Sequence, residues 1–165
     1  MSAIAYIGIG SNLGNPAAQV SRAVETLADT PGIRLLRHSP WYRTAPIGPA
    51  GQDDYINGVA ELETELEPEA LLDALQAIEQ QQGRVRVERW GSRTLDLDIV
   101  LYNHLEIDTP RLTVPHREMS RRSFVLQPLA DLVPDLVLPD GRPLQTLLAS
   151  CPLHGIVRLS NGSSQ

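Results

Sequence analysis

Asp96 and Asp98 stand two residues apart in an otherwise apolar run, Leu95 to Tyr102. Alternation along a strand puts both carboxylates on one face, about 7 Å apart along the chain, with Leu97 turned the other way. Such a pair suits Mg²⁺, which is held by a few carboxylates plus substrate oxygens rather than by an all-protein cage. A solvated strand face would also accept an Asp-x-Asp, but Asp is disfavoured inside strands, and two in the most apolar one call for a reason. Just upstream, Arg84, Arg86, Arg89 and Arg93 fall within ten residues, offset only by Glu88. Guanidinium forks clamp phosphate oxygens, so arginines running into a carboxylate pair suit a magnesium-bound polyphosphate. Trp90-Gly91 is an odd pair to leave in water. A loop that closes over a nucleotide accounts for it, and closure would exclude water where hydrolysis competes with transfer.

All 14 basic residues are Arg, and the chain has no Lys. That excludes a P-loop lysine, a kinase-type phosphate-binding lysine and a Schiff-base lysine. A formal charge of −6 argues against nucleic-acid or membrane-surface affinity, which favours net positive charge. With one cysteine, Cys151, no intrachain disulfide can form, and no Cys/His spacing resembles a zinc site. The sequence shows no signal peptide and no apolar run near the roughly 20 residues that span a bilayer. The expectation is one cytoplasmic domain over residues 1–159, with 160–165 a disordered tail.

The elements that must position these residues follow from periodicity. Ala3 to Ile9 reads as a buried strand entering a turn, Gly10-Ser11-Asn12-Leu13-Gly14. Asn15 as N-cap and Pro16 as first helical residue open a helix with Val20, Ala23, Val24 and Leu27 inward, stopped by Asp29-Thr30-Pro31-Gly32. Ile33 to Tyr42 is the second strand, interrupted late by Pro40. Tyr55 to Glu65 is the third, its Ala60, Leu62 and Thr64 dry and its Glu61, Glu63 and Glu65 wet. Pro68 opens a second helix with Leu71, Leu72, Leu75 and Ile78 inward, stopped by Gly83. Leu95 to Tyr102 is the fourth strand, with Leu95, Leu97, Ile99 and Leu101 on one side. The order β-α-β-β-α-β predicts an α+β, ferredoxin-like core: helices against one face of an antiparallel sheet. Short extended pieces near Ile107 and Leu112, and helices near Arg121–Leu132 and Pro143–Ala149, form a C-terminal helical extension.

Other residues leave two readings open. Gly8, Gly10 and Gly14 are spaced Gly-x-Gly-x-x-x-Gly with no following parallel strand, so a tight turn is favoured over a dinucleotide fingerprint. His116, followed by Arg117, Arg121 and Arg122, is either structural or a phosphate contact. Tyr55 and Asn57 are either packing residues or a flat aromatic with a neighbouring amide that receives a heterocycle.

Together these runs strongly resemble one family, the 6-hydroxymethyl-7,8-dihydropterin pyrophosphokinases of folate biosynthesis. The matching segments are Gly10-Ser11-Asn12-Leu13-Gly14, Tyr42-Arg43-Thr44, Asp54-Tyr55-Ile56-Asn57, Gly83-Arg84, Arg89-Trp90-Gly91, Arg93-Thr94-Leu95-Asp96-Leu97-Asp98 and Val114-Pro115-His116. The resemblance implies transfer of the terminal diphosphate of ATP to the pterin hydroxymethyl group, releasing AMP. It implies two Mg²⁺ ions on Asp96 and Asp98, with Arg84 and Arg93 gripping phosphates at the reacting centre and Arg86 arriving on loop closure. Gln76, Glu79, Ile99, Arg111, Thr113, His116 and Arg122 would complete the ATP side. The pterin would stack between Tyr55 and Phe124 beneath Trp90, its edge read by Asn57 and by the backbone of Thr44, Ala45 and Ile47, close to Asp96. This sequence departs from the family pattern in a shorter Arg86–Trp90 stretch, in Arg117 where an aromatic is common, and in Ala45 where proline is frequent. Only small-molecule partners are implied, for a monomer with neither nucleic acid nor membrane.

Two other readings compete. An RNA-binding module of the same fold needs aromatics and a basic sheet face, but the third strand is acidic and aromatic-poor. A nucleotidyltransferase would share the acid pair and would release inorganic pyrophosphate instead of AMP.

Overall fold

The computed structural model describes residues 2–11, 16–44, 55–82, 95–116, 119, 122–151 and 156–159. Along the chain these form β1 (Ala3–Ser11), α1 (Pro16–Ala28), β2 (Ile33–His38), β3 (Tyr42–Thr44), β4 (Tyr55–Thr64) and α2 (Pro68–Gln81), followed by β5 (Asp96–Tyr102), β6 (Ile107–Asp108), β7 (Thr113–Val114), α3 (Ser123–Leu132), α4 (Leu144–Ser150) and β8 (Val157–Arg158). Strand β1 lies between β4 and β5, antiparallel to both. The far edge of β4 carries β2 and then β3, and β8 adds to β3. Strands β6 and β7 form a separate small ribbon.

Apolar stripes decide where the helices lie. Val20, Ala23 and Leu27 of α1, with Leu71, Leu75 and Ile78 of α2, are buried with Ile7, Ile9, Leu62, Leu97 and Ile99 in a core on one face of the sheet. Pro68 begins α2, where its missing N–H costs nothing, as its position in the sequence predicts. Gly32 takes φ 84° in the turn from α1 to β2, and a Cβ there would sit 2.9 Å from Leu66 Cδ2.

Four expectations need correcting. First, Gly10 and Ser11 belong to β1 and are not turn residues, because Gly10 and Ser11 pair with Asn57 and Ile56. Second, the strand expected over Ile33–Tyr42 is two strands. Pro40 cannot donate to the ladder, and Ser39 bridges the break: its N–H donates to the Val59 carbonyl (2.8 Å) and its Oγ accepts the Val59 N–H (2.9 Å).

Third, Leu101 does not share a face with Leu95, Leu97 and Ile99. Opposite β1, Ile7 pairs with Ile99 but Tyr6 pairs with Leu101, so Val100 is an extra residue, a β-bulge. Beyond it the alternation is offset: Val100 and Leu101 join one core, Tyr102 the other. Fourth, the face of β4 expected to be wet is covered at Glu61, whereas Glu63 is half-buried and Glu65 exposed. Helix α3 packs on β4, and Tyr6, Val59, Val100, Leu126, Leu129, Leu144 and Leu147 make a second core. Glu61 tolerates burial there because Arg37 Nε (2.7 Å) and Tyr6 Oη (2.5 Å) both donate to its carboxylate. The sheet is therefore sandwiched between α1/α2 and α3/α4. Asn15, Gly83 and residues 160–165 lie outside the described residues.

Candidate active site

Strand register builds the site. In an antiparallel sheet, residues directly opposite one another project to the same face. Asp96 pairs with Gly10, Gly10 with Asn57, and Asn57 with Tyr42, so one row crosses β5, β1, β4 and β3. The next row toward the second core is Asp98, Gly8 and Val59. On the other side of the first row, Thr44 pairs with Tyr55. Both carboxylates thus share a face, on the α3 side, as period-two alternation requires; Leu97 is buried in the opposite core. Asp96 is half-buried and Asp98 exposed.

Gly8 and Gly10 both lie within β1, and the sequence reading gave them no part in the candidate site. Gly8 and Gly10 put no side chain of their own beside Asp98 and Asp96, and the Asn57 carboxamide reaches over Gly10. Two strand spacings, about 10 Å, separate the backbones of Asp96 and Asn57. A Cβ on Gly10 would fall 2.6 Å from Asn57 Oδ1, so the carboxamide occupies the space the glycine vacates. A glycine inside a strand marks a close approach by backbone or ligand, and that signal was available in the sequence.

On the outer side of β5 a cavity of about 190 Å³ is lined, among the described residues, by Leu72, Asp98, Ile99, Arg111, Leu112, Thr113 and His116. Five residues expected on the nucleotide side or at the acid pair are therefore brought together. The His116 N–H donates to the Val100 carbonyl (3.0 Å), which ties this segment to the bulge. The Arg111 guanidinium bonds Asp73 (2.7 Å) and reaches Glu69 (3.4 Å), both on α2. Glu79 and Gln76 are not among the described lining residues. Gln76 is exposed on α2, whereas Glu79 is only 5% exposed and its Oε2 accepts the Leu97 N–H at 2.7 Å. It caps the free edge of β5 between the two aspartates.

On the inner side, Tyr55 and Asn57 are half-buried, and the buried Thr44 Oγ1 has no hydrogen-bond partner among the described residues. Phe124 lies in the first turn of α3 with the Arg122 guanidinium 5.7 Å from its ring centroid, a cation–π contact. Arg84, Arg86, Trp90, Arg93, Ala45 and Ile47 lie outside the described residues, as do Arg117 and Arg121. Among the described residues no cluster of three metal-ligating side chains occurs. Two carboxylates fit Mg²⁺, which keeps waters and substrate oxygens in its shell.

The fold is α+β, and Asp98, with Asp96 near it on the same face, lines a cavity shared with Arg111, Thr113 and His116, a set suited to a metal-bound phosphate. Residues 6–134 match the family described as 7,8-dihydro-6-hydroxymethylpterin-pyrophosphokinase (HPPK). A Pseudomonas aeruginosa protein named 2-amino-4-hydroxy-6-hydroxymethyldihydropteridine pyrophosphokinase is 56% identical over 154 residues, covering 93% of this chain and 95% of its own. A Haemophilus influenzae protein of the same name is 46% identical over 156 residues, covering 94% and 98%. Among solved structures, wild-type HPPK-DHPS of Plasmodium falciparum aligns with a TM-score of 0.69 over 90% of this chain at 13% identity, a likeness of fold. The chain spans 41% of that longer protein. The chain belongs to the 7,8-dihydro-6-hydroxymethylpterin-pyrophosphokinase family, and it is an enzyme of that pyrophosphokinase class.

Proposed function

We propose that this enzyme transfers the terminal diphosphate of ATP to the hydroxymethyl oxygen of 6-hydroxymethyl-7,8-dihydropterin, releasing AMP. One observation carries the reading: Asp96 and Asp98 stand between two receptors. Outside β5 lies the cavity with Ile99, Arg111, Thr113 and His116; inside, beyond Gly8 and Gly10 of β1, lie Asn57, Tyr55 and Thr44. A nucleotide in the first and a pterin in the second would meet at the carboxylates. Family likeness extends the ATP side to Gln76, Glu79, Arg84, Arg86, Arg93 and Arg122. It extends the pterin side to Ala45, Ile47, Trp90 and Phe124.

The pterin hydroxyl oxygen attacks the β-phosphorus while the bond from that phosphorus to the oxygen of the α-phosphate breaks, and AMP leaves. Asp96 and Asp98 would hold two Mg²⁺ ions, which when bound lower the pKa of the attacking hydroxyl and neutralise charge on the transferred group. Arg84 and Arg93 supply positive charge where the transition state gathers negative charge. The Thr44 hydroxyl, without a hydrogen-bond partner among the described residues, and the Asn57 carboxamide offer donors and acceptors to the edge of a flat heterocycle. Their work is chiefly positioning.

The β5-β1-β4-β2 path supports reading the frame as ferredoxin-like, with α3 and α4 as the C-terminal extension. We read residues 1–159 as one domain acting as a cytoplasmic monomer. No helix among the described residues is long and apolar enough to cross a membrane. The test is incubation with ATP, Mg²⁺ and the hydroxymethyl pterin. Pterin-dependent AMP is expected. Inorganic pyrophosphate in its place would mean nucleotidyl transfer, and AMP formed equally without pterin would overturn the proposal.

A further inference from the structure

Tyr42 shares a row with Asn57 and stands two residues before Thr44, the partner of Tyr55. Its ring is buried at 5% exposure, and its phenol donates a hydrogen bond to Asp131 Oδ2 on α3. Asp131 also accepts from Gln127 Nε2 at 3.2 Å. Phe124, Gln127 and Asp131 are spaced three and then four apart, so they form one stripe of α3. Phe124 sits about 10 Å along the axis from Asp131 at ~1.5 Å rise per residue. The bond therefore fastens β3, beside the candidate pterin residues of β4, to the same stripe of the helix that carries Phe124.

That stripe needs a fastening. Pro128 lies inside α3 and has no N–H to donate to the carbonyl of Phe124 four residues earlier, so the first turn is less firmly built into the helix. The second core holds α3 through Leu126, Leu129, Ala130 and Leu132, which point toward the sheet. Apolar packing is non-directional and allows a helix to slide or roll. The Tyr42–Asp131 hydrogen bond is part-buried, with the phenol buried and Asp131 exposed, and unlike apolar packing it is directional and sets a distance.

We propose that Tyr42 and Asp131 are positioning residues: their bond sets the separation between Phe124 on α3 and Tyr55 and Asn57 on β4, and so holds the slot at the thickness of one flat bicyclic ring. This rests on the assignment of that slot to the pterin. Losing the bond lets the walls spread, which weakens pterin binding and leaves the nucleotide cavity beyond β5 intact.

Steady-state kinetics on the full-length enzyme tests this with Tyr42→Phe, Asp131→Leu and Asp131→Asn, plus Phe124→Ala as a control on the slot. Tyr42→Phe and Asp131→Leu should raise the KM for pterin about five- to tenfold, with the KM for ATP within twofold of the parent and kcat little changed. Asp131→Asn keeps an oxygen that accepts from the phenol and should restore near-parental values. A lower Tm with an unchanged pterin KM, or equal rises in both KM values, would reduce the bond to general scaffolding and overturn the proposal. If Phe124→Ala leaves the pterin KM unchanged, the slot assignment fails and the proposal falls with it. A rise with Phe124→Ala but none with Tyr42→Phe refutes the proposal alone.

Discussion

Gly10→Ala separates a functional glycine from a structural one. The added methyl would stand 2.6 Å from Asn57 Oδ1, well inside van der Waals contact, and 3.8 Å from the Ile56 carbonyl. The backbone need not move, because the short distance is to the end of a rotatable carboxamide. The methyl also reduces the freedom of the unfolded chain, worth about 0.4–1 kcal/mol in favour of the fold, which offsets the displacement. Tm should therefore change by only a few degrees. The cost falls on the ligand. A carboxamide swung from its place loses one neutral hydrogen bond worth about 0.5–1.5 kcal/mol, or two at most. At about 1.4 kcal/mol per factor of ten, pterin affinity drops roughly tenfold, and a hundredfold is the ceiling. The assay is pterin-dependent AMP release at saturating ATP, with the pterin Kd from equilibrium titration. Gly8→Ala is the stability control, since its methyl meets nothing nearer than Val100 Cγ2 at 3.4 Å. An unchanged pterin Kd in Gly10→Ala would refute the role given to the Asn57 carboxamide. A collapse of Tm by tens of degrees would show that the row tolerates no methyl and that the glycine is structural.

Removing one carboxylate, in Asp98→Ala or Asp96→Ala, should lower single-turnover transfer by several orders of magnitude while far-ultraviolet circular dichroism stays parental; near-normal turnover in either would remove the metal role. Glu79→Ala strands the Leu97 N–H at a buried strand edge, at a cost of about 1–3 kcal/mol, and should lower Tm by roughly 2–10 °C. Glu79→Gln retains an acceptor and should recover most of that loss in calorimetry. At alkaline pH, Tyr6 and Tyr42 govern stability. Burial first, then hydrogen bonding to Glu61 and to Asp131, pushes both phenols well above their usual value near 10. A raised folded-state pKa gives stability that is whole below pH 10 and is lost above it, as the unfolded phenols ionise first. Urea unfolding from pH 9 to 12 should show the free energy falling above pH 10, with Tyr42→Phe and Tyr6→Phe each making the fall shallower; a flat profile would contradict the assignment.

How much of this was legible beforehand depends on the range of the interactions. The facing of Asp96 and Asp98, the inner stripes of α1 and α2, and the starts at Pro16 and Pro68 follow from backbone geometry within a few residues, so the sequence alone determined them. The Arg-Thr-Leu-Asp-Leu-Asp run likewise pointed to phosphate chemistry, because charge and metal preference belong to the side chains themselves. The bulge at Val100, which turns Leu101 to the other core, depends on how β1 pairs with β5 some ninety residues away. Burial of Glu61 required Arg37 from one strand, Tyr6 from another and a helix from the far end of the chain to meet on one face. The place of Gly10, with the Asn57 carboxamide over it, became visible only once register set Asp96, Gly10 and Asn57 in line. Local periodicity tells a residue which way to point. Only long-range pairing and layering decide what stands there to meet it.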